Sequence, residues 1–174
     1  ATHLINTYAG SPTPGNSGNG GTANQAQIAA SGYLGFDHSG NLLLLESSQL
    51  RSVNSQGIIS TVAGGGDLAA GDGGQATAAS LFKPTFAIPD GRGGIAINDV
   101  GNGRIRSVSA AGVITTIAGG GNGAAGPGDG GLAINSVLGL FHGGAMAFYS
   151  AGNLYFTATY FDRKSPSLNP RHAN

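Results

Sequence analysis

The same sentence of sequence is written three times along this chain, and that periodicity constrains the fold more than any other property. Each copy opens on an Ile-x-Thr-x-Ala-Gly stretch: residues 5–10 read INTYAG, 59–64 ISTVAG and 114–119 ITTIAG. The copies begin 54 and 55 residues apart. A glycine-rich loop follows each, centred on Gly18-Asn19-Gly20-Gly21, Gly71-Asp72-Gly73-Gly74 and Gly128-Asp129-Gly130-Gly131. A period of this length means one supersecondary unit per copy. Repeated positions are then scaffold first, and chemistry belongs to the positions that differ.

Within each unit the apolar residues come in short runs between turn residues. First-strand candidates are residues 33–36, 86–88 and 145–148, and second-strand candidates are 42–45, 95–97 and 154–157. Turns rich in Gly, Asn and Asp separate them, at 37–41, 90–94 and 150–153. Third strands are expected at 50–53 and 105–108, and a further turn leads into each Ile-Thr stretch. Four short strands joined by tight turns predict a small antiparallel sheet. One such sheet cannot bury both faces, and radial stacking of several solves that problem. A helical solenoid is excluded because no segment sustains a 3.6-residue period.

The expected fold is therefore all-β, built of antiparallel four-stranded blades of an incomplete propeller with about three blades. Residues 1–58 form the first unit with a leading outer strand, 59–113 the second, 114–161 a divergent third, and 162–174 a polar tail. That tail reads as poorly ordered or as an extension docking elsewhere. Residues 5–10 read as a fourth strand, completing the third unit of the same chain or of a neighbour.

Charge narrows the function. Eight Lys and Arg balance eight Asp and Glu, with no basic block, so nucleic acid is not an expected partner. Only 9% of residues are charged, against roughly 25% in ordinary soluble domains. Such a surface has little electrostatic protection against self-association. There is no Cys, and no apolar run approaches the ~20 residues of a membrane span.

The string Ile59-Ser60-Thr61-Val62-Ala63-Gly64-Gly65-Gly66, then Gly71 to Ala76, then Leu81-Phe82-Lys83-Pro84 and Arg104-Ile105-Arg106-Ser107-Val108, resembles NHL-repeat β-propellers. The resemblance spans about residues 4–157 and is most faithful in the second copy. It implies protein–protein recognition on a propeller face, frequently outside the cell or at its surface. Some proteins of that kind are amidating lyases with a histidine-bound metal on the central axis, and some bind single-stranded RNA through a basic face.

Candidate residues divide by whether they repeat. The glycine-rich loops invite a phosphate-cradle reading, but no helix and no Gly-Lys-Ser/Thr follows, so they are expected to be structural connections. Asp72 and Asp129 are either calcium ligands or, as is favoured, turn residues bonding loop N–H groups. Arg51, Arg104 and Arg106 flank the third strands. They either pack their stems and bond carbonyls or an acid such as Glu46 or Asp99, or meet an anionic partner at the rim. With Tyr155, Tyr160 and Phe161 of the aromatic-rich third unit they form the candidate interaction set. His3, His38, His142 and His172 do not recur at one position, so no metal site, cofactor or catalytic constellation is expected. The leading expectation is a non-enzymatic interaction or structural scaffold, self-associating or part of a larger propeller. Its partner is a protein: other copies of itself or the rest of a longer chain. The alternatives are a propeller enzyme, a lyase or hydrolase with an axial metal, and a carbohydrate-binding module.

Overall fold

The computed structural model describes residues 4–29, 32–121, 130–139, 144–149, 152–159 and 170–172. The first sheet is a meander of β1 (Tyr33–Phe36), β2 (Leu42–Leu45), β3 (Gln49–Val53) and β4 (Ile59–Gly64). The second repeats it with β5 (Pro84–Pro89), β6 (Ile95–Asp99), β7 (Arg104–Val108) and β8 (Ile114–Gly119). The third holds β9 (Met146–Phe148), β10 (Leu154–Thr159) and β11 (Pro170–His172), in the order β11-β10-β9. All paired strands are antiparallel.

The four leucines of β2 are a continuous run rather than an alternation because both faces of the sheet are covered. Leu43 and Leu45 join Leu50, Ala87, Ile97 and Ile114 in the core between the first two sheets. Leu44 faces the other way, against Val53, Ile59 and the loop residues Ala23 and Ala26. Each fully buried leucine contributes about 1.5–3 kcal/mol of transfer free energy. On the inner strands Tyr33 meets Phe86 edge to face, with ring centroids 5.6 Å apart. β1 lies against β5 and β5 against β9, so the first strands run along the inside of the stack.

The first two glycine-rich loops each return to the outermost strand of the sheet they precede. Gly20 N–H donates to the Ile59 carbonyl and Ile59 N–H to that of Gly21, at 2.8 and 3.0 Å. Gly73 and Gly74 make the same pair of bonds with Ile114, at 2.8 and 3.0 Å. These N–H groups cap strand edges that would otherwise be open to pairing. The invariant end of β4 has a steric cause. Gly64 has φ +81°, and a Cβ there would enter the Ser48 carbonyl and lie 2.8 Å from Gln49 Cα.

Two expectations differ from the structure. Residues 5–10 join no strand among the described residues; Gly10 and Ser11 instead donate to the Ala23 and Ala26 carbonyls, both at 2.8 Å. The third sheet of the same chain, the one residues 5–10 are expected to complete, continues from β10 to β11 instead, and Ile5 is 98% exposed. In the tail, residues 170–172 are a strand, with His172 opposite Thr157 and Pro170 opposite Thr159. Backbone pairing needs no aliphatic pattern, and Pro is tolerated at the start of an edge strand.

Gly64→Ala is expected to cost more than Gly40→Ala. Gly40 also has positive φ, +79°, but open space around it. The conformational term alone is about 1 kcal/mol, and the collision at Gly64 adds to it. Urea unfolding midpoints of the two variants check the ranking.

Candidate functional site

The fourth strands each carry a β-bulge at an equivalent step: Val62 and Ile117 are the extra residues, opposite Leu50/Arg51 and Ile105/Arg106 of the third strands. The arginines opposite these bulges are fully buried. Arg51 donates from Nη1 to the Gln27 carbonyl at 2.8 Å, from Nη2 to the Ser17 carbonyl at 3.1 Å, and from Nε to Asn19 Oδ1 at 3.1 Å. Glu46 Oε1 stands 3.5 Å from its Nη1. Arg106 donates from Nη2 to Asp72 Oδ1 at 2.8 Å and to the Ala70 carbonyl. Its Nη1 is 3.6 Å from Asp99 Oδ2. Asn19 donates to Thr61 Oγ1 at 2.7 Å, and Asp72 accepts from Thr116 Oγ1 at 3.1 Å. One loop residue thus ties the third-strand arginine to the fourth-strand threonine in both sheets.

This corrects part of the candidate interaction set. Arg51 and Arg106 are enclosed by their own loops and present nothing to a partner. Arg104 is half-buried and donates to the Asn102 carbonyl at 3.3 Å. Asp72 bonds Arg106 and Thr116 rather than the loop N–H groups expected of it. Tyr155 is 46% exposed. Gly128, Asp129, Tyr160, Phe161, His3 and His142 lie outside the described residues. Among the described residues no three His, Asp or Glu side chains stand close enough together to hold a metal ion.

Asp99 is buried, and burial pushes its carboxyl above the ordinary aspartate range. The hydrogen bonds from Asn102 Nδ2 (2.8 Å) and Phe82 N–H (2.8 Å), and the Arg106 charge, work in the opposite direction.

What differs between repeats is gathered elsewhere. The turns joining first and second strands all lie at one end of the inner strands. In the first, Asp37 Oδ1 accepts from Ser39 and Asn41 N–H, both at 2.9 Å. In the second, Asp90 Oδ1 accepts from Arg92 and Gly94 N–H at 2.7 and 2.8 Å. The third closes from Gly152 N–H to the Tyr149 carbonyl at 2.8 Å. The frame is shared, and the side chains it carries are not: His38 and Arg92 are exposed, and Tyr149 is 62% exposed. Between the second and third turns lies a cavity of about 320 Å³, lined by Asp90, Arg92, Phe148, Tyr149 and Gly152 among others. A second cleft of about 310 Å³ separates the first two sheets near Asp37, Val62 and Ser109. Tyr149 belongs to the aromatic-rich stretch of the third unit that the sequence offers as a contact surface, whereas Arg92 carries no role in the sequence reading. The available signal was that Arg92 puts the only Lys or Arg into any of the three turns.

No family model matches the chain, and no curated protein matches it. Two solved structures to which it is similar are a streptogramin B lyase and the virginiamycin B lyase of Staphylococcus aureus in selenomethionine form. The first has a TM-score of 0.43 at 13% identity, covering 80% of this chain and 39% of that one. The second has a TM-score of 0.42 at 10% identity, covering 80% and 40%. The chain thus spans about two fifths of the length of the structures it matches. At these identities the likeness concerns the fold, antiparallel four-stranded sheets set as in a propeller. The expectation of a non-enzymatic interaction scaffold is corrected here, since both of these proteins are named as lyases.

Removing either buried arginine is expected to destabilise strongly. Arg51→Ala leaves Glu46 buried without its cation, and Arg106→Ala does the same to Asp99. Breaking such a pair costs about 3–5 kcal/mol. Arg104→Ala, half-buried, is expected to cost about 1 kcal/mol or less; chemical denaturation compares the three.

A pH dependence follows from Asp99. Its raised carboxyl binds a proton more tightly folded than unfolded, so its contribution to stability falls as pH rises above the unfolded value of roughly 3.9. The stability difference between wild type and Asp99→Asn is expected to move against wild type from acid to neutral pH. A difference that stays flat across that range contradicts the assignment.

Proposed function

We propose that this chain is part of a propeller enzyme of the lyase class, built from NHL-type repeats, whose chemistry sits at the end of the inner strands. The observation that carries the reading is the placement of the non-repeating side chains. His38, Arg92 and Tyr149 stand on equivalent turns of three successive sheets, while the repeated polar residues are engaged inside the scaffold. Uncovered apolar side chains on the inner strand of the first sheet, Leu34 and Phe36 at 63% exposure each, fit a surface on which further blades stack.

The chemistry available there suits elimination next to a carbonyl. A base removes the proton on the carbon beside the carbonyl, the electron pair forms the new double bond, and the bond to the leaving group breaks. A positioned cation stabilises the negative charge that gathers on the carbonyl oxygen. Arg92 is the group for that oxygen, Tyr149 the group that returns a proton to the leaving atom, and His38, on the first turn at the same end, the base.

Incubation of the purified protein with virginiamycin B, followed by mass spectrometry, tests the reading. Elimination adds no atoms, so a lyase opens the ring of this substrate to one linear product of the same mass, resolved from the substrate by chromatography and by its fragmentation. Products carrying an added water mean hydrolysis and overturn the lyase assignment, and unchanged substrate overturns the enzyme. Arg92→Gln is expected to lower turnover by about 100-fold, the scale of losing one oxyanion donor.

A further inference from the structure

The cavity between the second and third turns has two unlike halves. One is cationic: Arg92 is exposed and makes no ion pair among the described residues. Asp90 also lines the cavity, but no ion pair joins it to Arg92, and its Oδ1 accepts from the backbone N–H groups of Arg92 and Gly94. The guanidinium has room because position 152 has no side chain. Gly152 has φ +88°, and a Cβ there would sit 3.1 Å from Arg92 Nη2. The other half is aromatic, with Phe148 half-buried and Tyr149 62% exposed. An unpaired planar cation beside aromatic rings, over a glycine that leaves it space, is complementary to a flat apolar group bearing an anion. Arg meets a carboxylate through two parallel N–H donors, and rings stack offset or edge to face on Phe and Tyr.

We propose that this cavity binds aromatic carboxylates, with a benzoate unit as the smallest ligand that fills both halves. The inference deepens the lyase reading by naming the class of substrate group recognised, and it rests on that reading only for binding to lead to turnover.

Calorimetric titration of the protein with benzoate, acetate and benzyl alcohol separates the two halves. Benzoate is expected to bind at least tenfold more tightly than either of the others, each of which lacks one half. Arg92→Gln is expected to lose tenfold or more in benzoate affinity, with Arg92→Lys in between. Tyr149→Ala is expected to lose about 3- to 10-fold, the scale of one ring contact. Both positions are exposed, and circular dichroism confirms that the variants are folded. Benzoate binding no tighter than acetate, or unaltered by Arg92→Gln, overturns the site. Benzoate bound while virginiamycin B stays intact leaves the site standing and removes the lyase. Turnover of virginiamycin B with no benzoate binding removes the site and leaves the lyase.

Discussion

A guanidinium taken out of water needs partners for its N–H groups, and in this chain those partners come from the loop that precedes the sheet. Arg51 and Arg106 stand in their strands opposite a β-bulge of the neighbouring strand, where Val62 or Ile117 is the extra residue and the local twist increases. The loop then wraps around the arginine head and lays its glycine N–H groups along the outer strand. The loop's carbonyls, its Asn19 or Asp72, and the threonine across the ladder close around one charge. Order in an otherwise irregular glycine-rich loop therefore depends on a single buried cation per sheet. The glycines follow from this, since the loop must approach a strand edge and its own turns need positive φ.

The same tie protects the edges. Each four-stranded sheet would end in a row of free backbone groups on β4 or β8, and the returning loop covers part of it. Low charge over the chain is compatible with that arrangement, because edge protection is supplied by backbone pairing rather than by lysines. The faces are handled differently. Leucines on both sides of β2 are covered, one side by the second sheet and the other by the loop.

With the repeated polar residues inside, variation is left to the turns at the inner end. A two-bond turn anchored by Asp37 or Asp90 holds its backbone whatever the exposed residue is. That separation lets one scaffold present a histidine, an arginine and a tyrosine on equivalent turns, each at a different position of its turn. Recurrence marks the scaffold here: Arg106 has a counterpart in Arg51 and is enclosed, while Arg92 has none in the other turns and is exposed.

Much of the fold was legible in the sequence. The period, the strand runs and the Ala-Gly ends determined four-stranded antiparallel sheets, because strand patterning and turn chemistry act over a few residues. Local signals could not reveal that the loop docks on the strand following it by some forty residues, nor that Asn19 and Asp72 bridge an arginine to a threonine. Those contacts exist only once the sheet is formed. The strand at residues 170–172 was hidden for a related reason, as backbone pairing leaves no apolar pattern at an edge. The inward packing of Arg51 and Arg106 on carbonyls, Glu46 and Asp99 was the reading their recurrence favoured, whereas the exposure of Arg92 was beyond reach: the residue type is the same, and only the packing around it decides whether its charge faces a loop carbonyl or the solvent.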